Sequence, residues 1–258
     1  MKHAYSRFRC FALVGCLCFG LLPMFVQADE KSPERWEKSI VEIEQRIASG
    51  KSAPGAALFV GSSSIRLWKL EDSFPDLATA NHGFGGSFLS DSVHFFDRIV
   101  VPVKPSVIVV YAGDNDIASG KTPETVYADF QQFVAAVRAK LPECQQVIYI
   151  GIKPSVKRWA LADKIQKANS LIKAHCDKDP LADFADVWEP MLTADGKPNA
   201  DLLDVYKRQI QNGATTTFRW GPSSSLRCGS VAGLPIRYSP PGTGTIRNFT
   251  SVPGITIS

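Results

Sequence analysis

Apolar segments of strand length alternate with helix-forming segments through the middle of the chain, and this alternation limits the possible folds more than any other feature. The strand candidates are rich in β-branched and aromatic residues and occupy residues 56–60, 77–81, 106–111, 146–150 and 184–187. Helix signals separate them, such as the Thr122-Pro123 start that precedes an apolar stripe at helical spacing. Because strands that alternate with helices form parallel sheets, the sequence predicts an α/β three-layer sandwich with a central, mostly parallel five-stranded sheet.

The first 28 residues have the three parts of a secretory signal. A basic start precedes an apolar run at residues 10–26, and Ala28 suits the last position before cleavage. A membrane anchor is the alternative, since a run of about 17 residues is near the short limit for a bilayer span. Pro23 and the small Ala28 favour cleavage, and a lipoprotein signal at Cys16 is a further alternative. We therefore expect a secreted or periplasmic protein with no stable membrane span after cleavage.

The distribution of charge argues against a nucleic-acid partner. The formal net charge is +4, but residues 29–204 carry 20 basic and 25 acidic side chains, a net charge of −5. The positive charge belongs to residues 1–28 and 205–258, which contain no acidic residue. A nucleic-acid-binding face needs clustered basic residues, and no such cluster is present in the sequence of the central segment.

The cysteines and histidines form no metal-binding motif. Three of the six cysteines lie in the expected signal segment, and Cys144, Cys176 and Cys228 lie beyond it. Neither a CxxC nor an HxxxH pattern occurs, so we expect no structural metal. Whether Cys144 and Cys176 pair is left open, because the sequence does not give the distance between them.

Three loops rich in serine, glycine or Asn/Asp each follow a predicted strand. Residues 61–65 contain three successive serines, residues 81–87 contain three glycines within four positions, and residues 111–116 contain Asn115 between two aspartates. Because ligand sites in parallel sheets lie beyond the carboxyl ends of the strands, we expect the three loops to meet at one edge.

Each loop has a functional and a plain structural interpretation. A serine at a strand-to-helix turn can be a nucleophile, glycine amides can bind a ligand, and an amide side chain can stabilise an oxyanion. The structural alternatives are a helix cap, a flexible turn and an Asx turn, respectively. The order of the three loops along the chain is more informative than any one of them.

Together the three loops resemble the blocks of the SGNH hydrolases, within the wider GDSL esterase/lipase group. Gly61-Ser62-Ser63 resembles the first block, with Ser62 where the family often has Asp. The segments at residues 83–86 and 113–116 resemble the second and third blocks. The resemblance covers about residues 30–203 and is nearest to branches related to platelet-activating-factor acetylhydrolase and to bacterial polysaccharide acetylesterases.

The resemblance implies a flavodoxin-like fold and a secreted serine esterase that hydrolyses short, acetyl-like esters through an acyl-enzyme. Ser63 is then the nucleophile, and the Ser63 and Gly86 amides together with the Asn115 side chain hold the oxyanion. The family needs no cofactor, and its substrates are small-molecule or polysaccharide esters.

The fourth block of the family, Asp-x-x-His, is missing from this sequence. We expect it shortly after Pro198, but Asp201 and Asp204 are followed three positions later by Asp204 and Lys207, and no histidine occurs after His175. A serine needs a base to take its proton, so the chain as written is expected to be inactive or nearly so. A non-catalytic secreted carbohydrate-binding protein with the same fold is the alternative function.

The remaining histidines are poor substitutes for the missing base. His82 adjoins the glycine loop, and packing or substrate contact is a more plausible role for it than that of a replacement base. His94 and His175 lie in predicted helices, where we expect partly buried surface side chains.

The composition changes abruptly near Leu203. In residues 205–258, Gly, Pro, Ser and Thr make up 26 of 54 residues, without helical periodicity or a convincing strand pair. A natural flexible tail is one interpretation. We favour a frameshift or foreign junction, which gives a signal peptide at 1–28, a hydrolase domain lacking its last block at 29–204, and a non-native tail at 205–258. The family places its last helix after the missing block, so one face of the sheet should be partly uncovered.

Overall fold

A computed structural model describes residues 32–203, 218–221 and 225–228 of the chain. In this part of the chain, five parallel strands form one sheet, and helices connect them. The helices are α1 (Glu37–Ala48), α2 (Ser63–Arg66), α3 (Leu70–Ser73), α4 (Leu89–His94), α5 (Phe96–Ile99), α6 (Asp114–Ala118), α7 (Pro123–Lys140), α8 (Ala162–Cys176) and α9 (Ala200–Leu203). Short 3₁₀ turns occupy Pro33–Trp36, Val101–Val103, Val156–Leu161 and Glu189–Met191.

The central sheet has the strand order β2-β1-β3-β4-β5, with every neighbouring pair parallel. Its strands are β1 (Ala57–Gly61), β2 (Thr79–Gly83), β3 (Val107–Tyr111), β4 (Gln146–Ile150) and β5 (Ala182–Ala185). The structure thus confirms the predicted five-stranded α/β sandwich. In this order the chain turns to opposite sides after β1 and β3, which places a crevice at the carboxyl ends of those two strands.

The longest helix shows how local sequence signals set the element boundaries. The Thr122 side chain accepts a hydrogen bond from the Thr125 amide at 3.1 Å, and Pro123 occupies the first turn. Phe130 and Phe133 lie one turn apart on α7, and both are fully buried against the sheet.

The helical segment that begins at Ser63 is interrupted in the structure. It divides into α2 and α3, because the Asn81 side-chain amide donates to the carbonyls of Ile65 and Trp68 at 2.7 and 3.0 Å. These carbonyls are therefore satisfied by a side chain of β2 instead of by a continuing helix. The first helical segment begins with a 3₁₀ turn at Pro33–Trp36, and α1 follows it.

The two faces of the sheet are packed by different elements. Side chains such as Leu58, Ile108 and Tyr149 point to the first face and are fully buried in a large cluster with α1, α4, α5, α7 and α8. Side chains such as Phe59 and Ile150 point to the second face, in a smaller cluster with α2, α3 and the Glu189–Met191 turn. We call these the helix-covered face and the second face.

Several sequence expectations fall outside the described residues. The signal segment 1–28 lies there entirely, as does most of 205–258. The exceptions are β6 (Phe218–Gly221) and β7 (Ser225–Cys228), which pair antiparallel, so the expectation of no convincing strand pair in the tail was wrong. In the described part of the chain, Cys144 and Cys176 are free buried thiols, and no helix there is long and apolar enough to cross a membrane.

Candidate active site

A pocket of about 210 Å³ lies at the carboxyl edge of the sheet and brings two of the three sequence-predicted site residues together. Ser63 follows β1, and Asn115 follows β3, the neighbouring strand. The lining residues are Ser63, Ser64, Asp114, Asn115, Lys153, Ser155, Lys157, Arg158 and Ile165. Gly86, the third predicted site residue, does not line this pocket.

Ser63 is placed by a tight junction between β1 and α2. Gly61 has φ +135°, and a Cβ there would lie 2.0 Å from the Tyr111 carbonyl oxygen, so only glycine fits. The Ser62 amide donates to the same carbonyl at 2.9 Å, which fixes the start of the turn. Ser63 is the first residue of α2 and is half-buried, and its hydroxyl has no hydrogen bond to any described residue. The hydroxyl therefore faces the pocket without an internal partner.

The glycine loop is held beside β1 by hydrogen bonds to the same junction. The Phe84 amide donates to the Gly61 carbonyl at 2.9 Å, and the Ser87 hydroxyl lies within donating distance of the same carbonyl at 3.3 Å and of the Phe84 carbonyl at 2.9 Å. Gly86 is exposed with φ +80°, and a Cβ there would lie 3.3 Å from the Trp36 ring. Among the described residues the Gly86 amide makes no hydrogen bond, so it is available as a donor.

The Asn115 side chain is held from both sides. Arg158 donates through Nη2 to Asn115 Oδ1 at 2.8 Å and through Nη1 to Asp114 Oδ2 at 2.7 Å. On the other side, Asn115 Nδ2 donates to the Ser87 carbonyl at 3.1 Å. Because a guanidinium only donates and a carbonyl only accepts, the two contacts fix which end of the amide is nitrogen. One Nδ2 hydrogen is used by Ser87, and the second is left for another acceptor.

Lys153 is a pocket residue that sequence reasoning missed. It lies just after β4 and donates through Nζ to Ser64 Oγ at 2.7 Å and to the Tyr111 hydroxyl at 3.1 Å. Burial alone would lower the pKa of Lys153, but the neighbouring Tyr111 and Asp114 outweigh it and raise that pKa above its ordinary value. The lysine is therefore a cation at neutral pH. Its position shortly after the predicted strand at residues 146–150 was the available signal.

Asp116 connects the third loop to the start of α4, which follows the second loop. It is fully buried, and its carboxylate accepts from the Leu89 amide at 3.2 Å at the start of α4. Lys121 Nζ lies 3.5 Å from Asp116 Oδ1. Burial raises the pKa of Asp116 to about 7, and the lysine charge offsets only part of this shift. The last residue of the third block thus holds the two loops together.

No histidine of the described residues lines the pocket. His82 is fully buried, with Nε2 at 2.8 Å from Ser52 Oγ and Nδ1 at 2.6 Å from the Ile99 carbonyl. Burial lowers the pKa of His82 to about 4. Its two ring nitrogens are occupied, so the ring packs in the core and does not reach a substrate. His94 is exposed, which differs from the expected partial burial, and His175 is half-buried.

The described residues contain no group of three or more His, Cys, Asp or Glu side chains that could hold a metal ion. A larger open groove of about 450 Å³, lined by residues of α7 and α8 that include Tyr127, Arg138 and His175, contains none of the predicted site residues. The pocket at the carboxyl edge is smaller, but it holds the serine and the asparagine, and we take it as the candidate active site.

Comparisons with known proteins identify the family of the chain. The family described as GDSL-like Lipase/Acylhydrolase matches residues 61–206, which is more than half of the chain. Platelet-activating factor acetylhydrolase IB subunit alpha2 from Gallus gallus is 27% identical over 174 residues, covering 65% of this chain and 73% of that protein. Subunit alpha1 from Bos taurus is 26% identical over 161 residues, covering 58% of this chain and 66% of that protein.

A solved structure shares the fold. It is described as a candidate platelet activating factor from Streptococcus pneumonia and has a TM-score of 0.58 at 17% identity. The match covers 65% of this chain and 81% of that chain.

Proposed function

The chain belongs to the GDSL-like lipase/acylhydrolase family, within the SGNH hydrolases, and on this premise we propose that its parent gene encodes an exported serine esterase for short acyl esters. Ester hydrolysis is the general chemistry of this family. The observation that carries the proposal is the single pocket in which Ser63, with a hydroxyl free of internal partners, lies with Asn115.

In the proposed mechanism, the Ser63 oxygen attacks the ester carbonyl, the alcohol leaves, and water releases the acyl group from the serine. The Asn115 side chain supplies an oxyanion donor, since one of its Nδ2 hydrogens is not used by Ser87. The amides of Ser63 and Gly86 are the other proposed donors. Each donor of this kind contributes roughly 10²–10³ to turnover.

The general base is the part of the mechanism for which this chain offers no residue. His82 is buried with both ring nitrogens engaged, and no histidine follows His175 in the sequence. We propose that the chain as written is nearly inactive for this reason. In related triad enzymes, loss of one member leaves only ~10³–10⁴-fold catalysis over water.

We propose acetyl-like acyl groups because the pocket is small, about 210 Å³, and because the relatives from Gallus gallus and Bos taurus are named acetylhydrolases. The proposed export signal at residues 1–28 favours a secreted or periplasmic location, where polysaccharide esters are available substrates. The acyl group and the location are separate parts of the proposal and can fail separately.

The test begins with the source gene, resequenced past the codon for Leu203. We expect a frame that continues into an Asp-x-x-His block and a closing helix. The product of that frame should hydrolyse p-nitrophenyl acetate, with at least ~10³-fold more turnover than the chain as written. Ser63→Ala should abolish the difference, while Ser170→Ala, an exposed serine of α8, should leave it unchanged. Ser63-independent turnover in the continuous product would contradict the proposal.

Asn115→Ala in the continuous product tests the oxyanion role separately. We expect kcat to fall about 10²–10³-fold with little change in KM, because the contact is made to the developing oxyanion. The unfolding midpoint should be followed alongside kcat, since the variant also loses the contacts of Asn115 with Ser87 and Arg158. A change in KM alone would assign Asn115 to ground-state binding.

A second function is a secreted carbohydrate-binding protein with the same fold, and the engaged ring nitrogens of His82 favour its lack of catalysis. If resequencing confirms residues 205–258, this function is preferred. Binding of an acetylated oligosaccharide that Ser63→Ala leaves unchanged, with no release of acetate, would support it.

A further inference from the structure

The pocket beside Ser63 carries an excess of positive charge. Three cationic side chains line it among the described residues, Lys153, Lys157 and Arg158, against one carboxylate, Asp114. Asp114 is already paired with Arg158 at 2.7 Å. Asp114 also raises the pKa of Lys153, but one carboxylate against three cations leaves the pocket lining with an excess of positive charge.

Lys153 is the cation with the most defined position in this pocket. Its ammonium is half-buried, and its hydrogen-bond partners are two neutral hydroxyls, those of Ser64 and Tyr111. The Tyr111 hydroxyl stays protonated because burial raises the pKa of Tyr111. No carboxylate of the described residues lies within ion-pair distance of Lys153 Nζ. A partly desolvated ammonium with only neutral partners is stabilised when an anion binds next to it.

The position of Lys153 is close to the proposed point of attack. Its Nζ contacts Ser64, and Ser64 is the residue directly after Ser63. Ser63 and Lys153 line the same pocket of about 210 Å³, so a small ester whose anionic group reaches Lys153 has its carbonyl near Ser63. The third hydrogen of the ammonium is available to such a group, because the two hydroxyls use only two of three donors.

We propose that this pocket selects esters that carry an anionic oxygen group, a carboxylate or a phosphate, a few bonds from the ester carbonyl, and that Lys153 holds that group. The inference rests on the proposed esterase function and adds the substrate class to it. Lys157 is exposed at the pocket wall and contributes charge without a fixed contact. Lys153 is thus a specificity-determining residue that takes no part in the attack itself.

Binding to the full chain as written tests the proposal without requiring turnover. The matched probes are monomethyl succinate and methyl butyrate, which differ only in a terminal carboxylate against a methyl group, and methyl 3-phosphonopropanoate as the phosphate-like probe. Amide shifts of the ¹⁵N-labelled chain report Kd for each probe. We expect the anionic esters to bind about tenfold more tightly at low salt, with the advantage reduced at 0.2 M salt. The ratio between the carboxylate and phosphonate probes identifies which anion the pocket prefers.

Variants assign the effect to Lys153. Lys153→Met should remove the preference for monomethyl succinate over methyl butyrate, and Lys153→Arg should retain most of it, which also shows that position 153 accepts substitution. The control is Lys167→Met, an exposed lysine of α8 outside the pocket, which should leave the ratio unchanged. Equal Kd values for both probes, or a preference that survives Lys153→Met, would overturn the inference.

Failure of the esterase proposal gives a different result. In that case the chain still binds monomethyl succinate in a Lys153-dependent manner, but the continuous gene product releases no methanol from it. The reverse outcome is hydrolysis of p-nitrophenyl acetate with no preference for anionic esters. It would leave the esterase function in place and remove only the substrate class.

Discussion

The two faces of the central sheet are packed to different degrees. On the helix-covered face, β3 and β4 present Val110 and Tyr149, which are fully buried beneath the long helices α7 and α8. On the second face, the same two strands present Val109 and Ile148, which are only half-buried, although Tyr111 and Ile150 at the carboxyl ends are buried. The described elements on that face are short, namely α2, α3, α9 and the Glu189–Met191 turn.

This difference distinguishes the face that contributes most to stability from the face near which we expect the last catalytic block. The helix-covered face has a continuous core, so it supplies most of the apolar burial and most of the stability. We interpret the weaker cover on the second face as the place of the closing helix that SGNH hydrolases have after their last block.

The largest expected effect compares one aromatic residue from each face. Phe130 of α7 is fully buried against Tyr149, whereas Phe74 is half-buried beside Phe59 and Trp68. Phe130→Ala should lower the free energy of unfolding by about 3–5 kcal/mol and Phe74→Ala by about 1–2 kcal/mol. Urea unfolding of the full chain, followed by tryptophan fluorescence and circular dichroism together, measures both values.

The comparison requires that fluorescence and circular dichroism give coincident unfolding transitions, which is the test for two-state unfolding. Similar losses for Phe130→Ala and Phe74→Ala would show that the second face is as well packed as the first. In that case the interpretation of a missing closing helix loses its structural support.

Much of the fold was predictable because parallel strands have a strong local signal. The run at residues 146–150 matches β4 at both ends, since four of its five residues are apolar, as is typical of a strand in a parallel sheet. The last strand occupies Ala182–Ala185, two residues before the predicted range of 184–187. The prediction began too late because the polar Asp183 interrupts the apolar pattern of the sequence. The division of α2 from α3 was not predictable, since it depends on Asn81, which comes from another strand.

The candidate site was predictable in its loops but not in its charges. Ser63 and Asn115 stand next to strand ends, and the order of strands alone brings them to one edge. Lys153 and Arg158 also follow a strand, but nothing in the local sequence tells a pocket cation from a surface cation. Their contacts to Ser64 and Asn115 span 89 and 43 residues and exist only after folding.

A second prediction uses two titratable groups that are buried among the elements of the helix-covered face. The lowered pKa of His82, about 4, means that stability is lost as pH falls from about 6.5 to 4. The raised pKa of Asp116, about 7, means that stability is lost as pH rises from about 4 to 7. Between pH 4 and 6.5 the two effects oppose each other, so their summed contribution to the free energy of unfolding should change little.

Single variants should reveal the pH dependence of the free energy of unfolding that each buried group contributes. His82→Gln should leave a chain whose stability falls by up to about 1.4 kcal/mol per pH unit as pH rises through this window, and Asp116→Asn should give the opposite slope. Urea unfolding at half-unit steps from pH 4 to 7 measures them, with Asp195→Asn, an exposed carboxylate, as the control of small effect. Parallel curves for all four chains would mean that neither buried group titrates differently on unfolding.

The smallest expected effect is also the most direct test of the two faces, because it uses adjacent residues of one strand. Val110→Ala removes two methyl groups from the helix-covered face and should cost about 2–3 kcal/mol, while Val109→Ala on the second face should cost about 1 kcal/mol. Both substitutions have the same effect on strand propensity, so the difference between them reports packing. In the continuous gene product, a closing helix over the second face should raise the cost of Val109→Ala toward that of Val110→Ala. An unchanged cost there would mean that the second face is not where that helix packs.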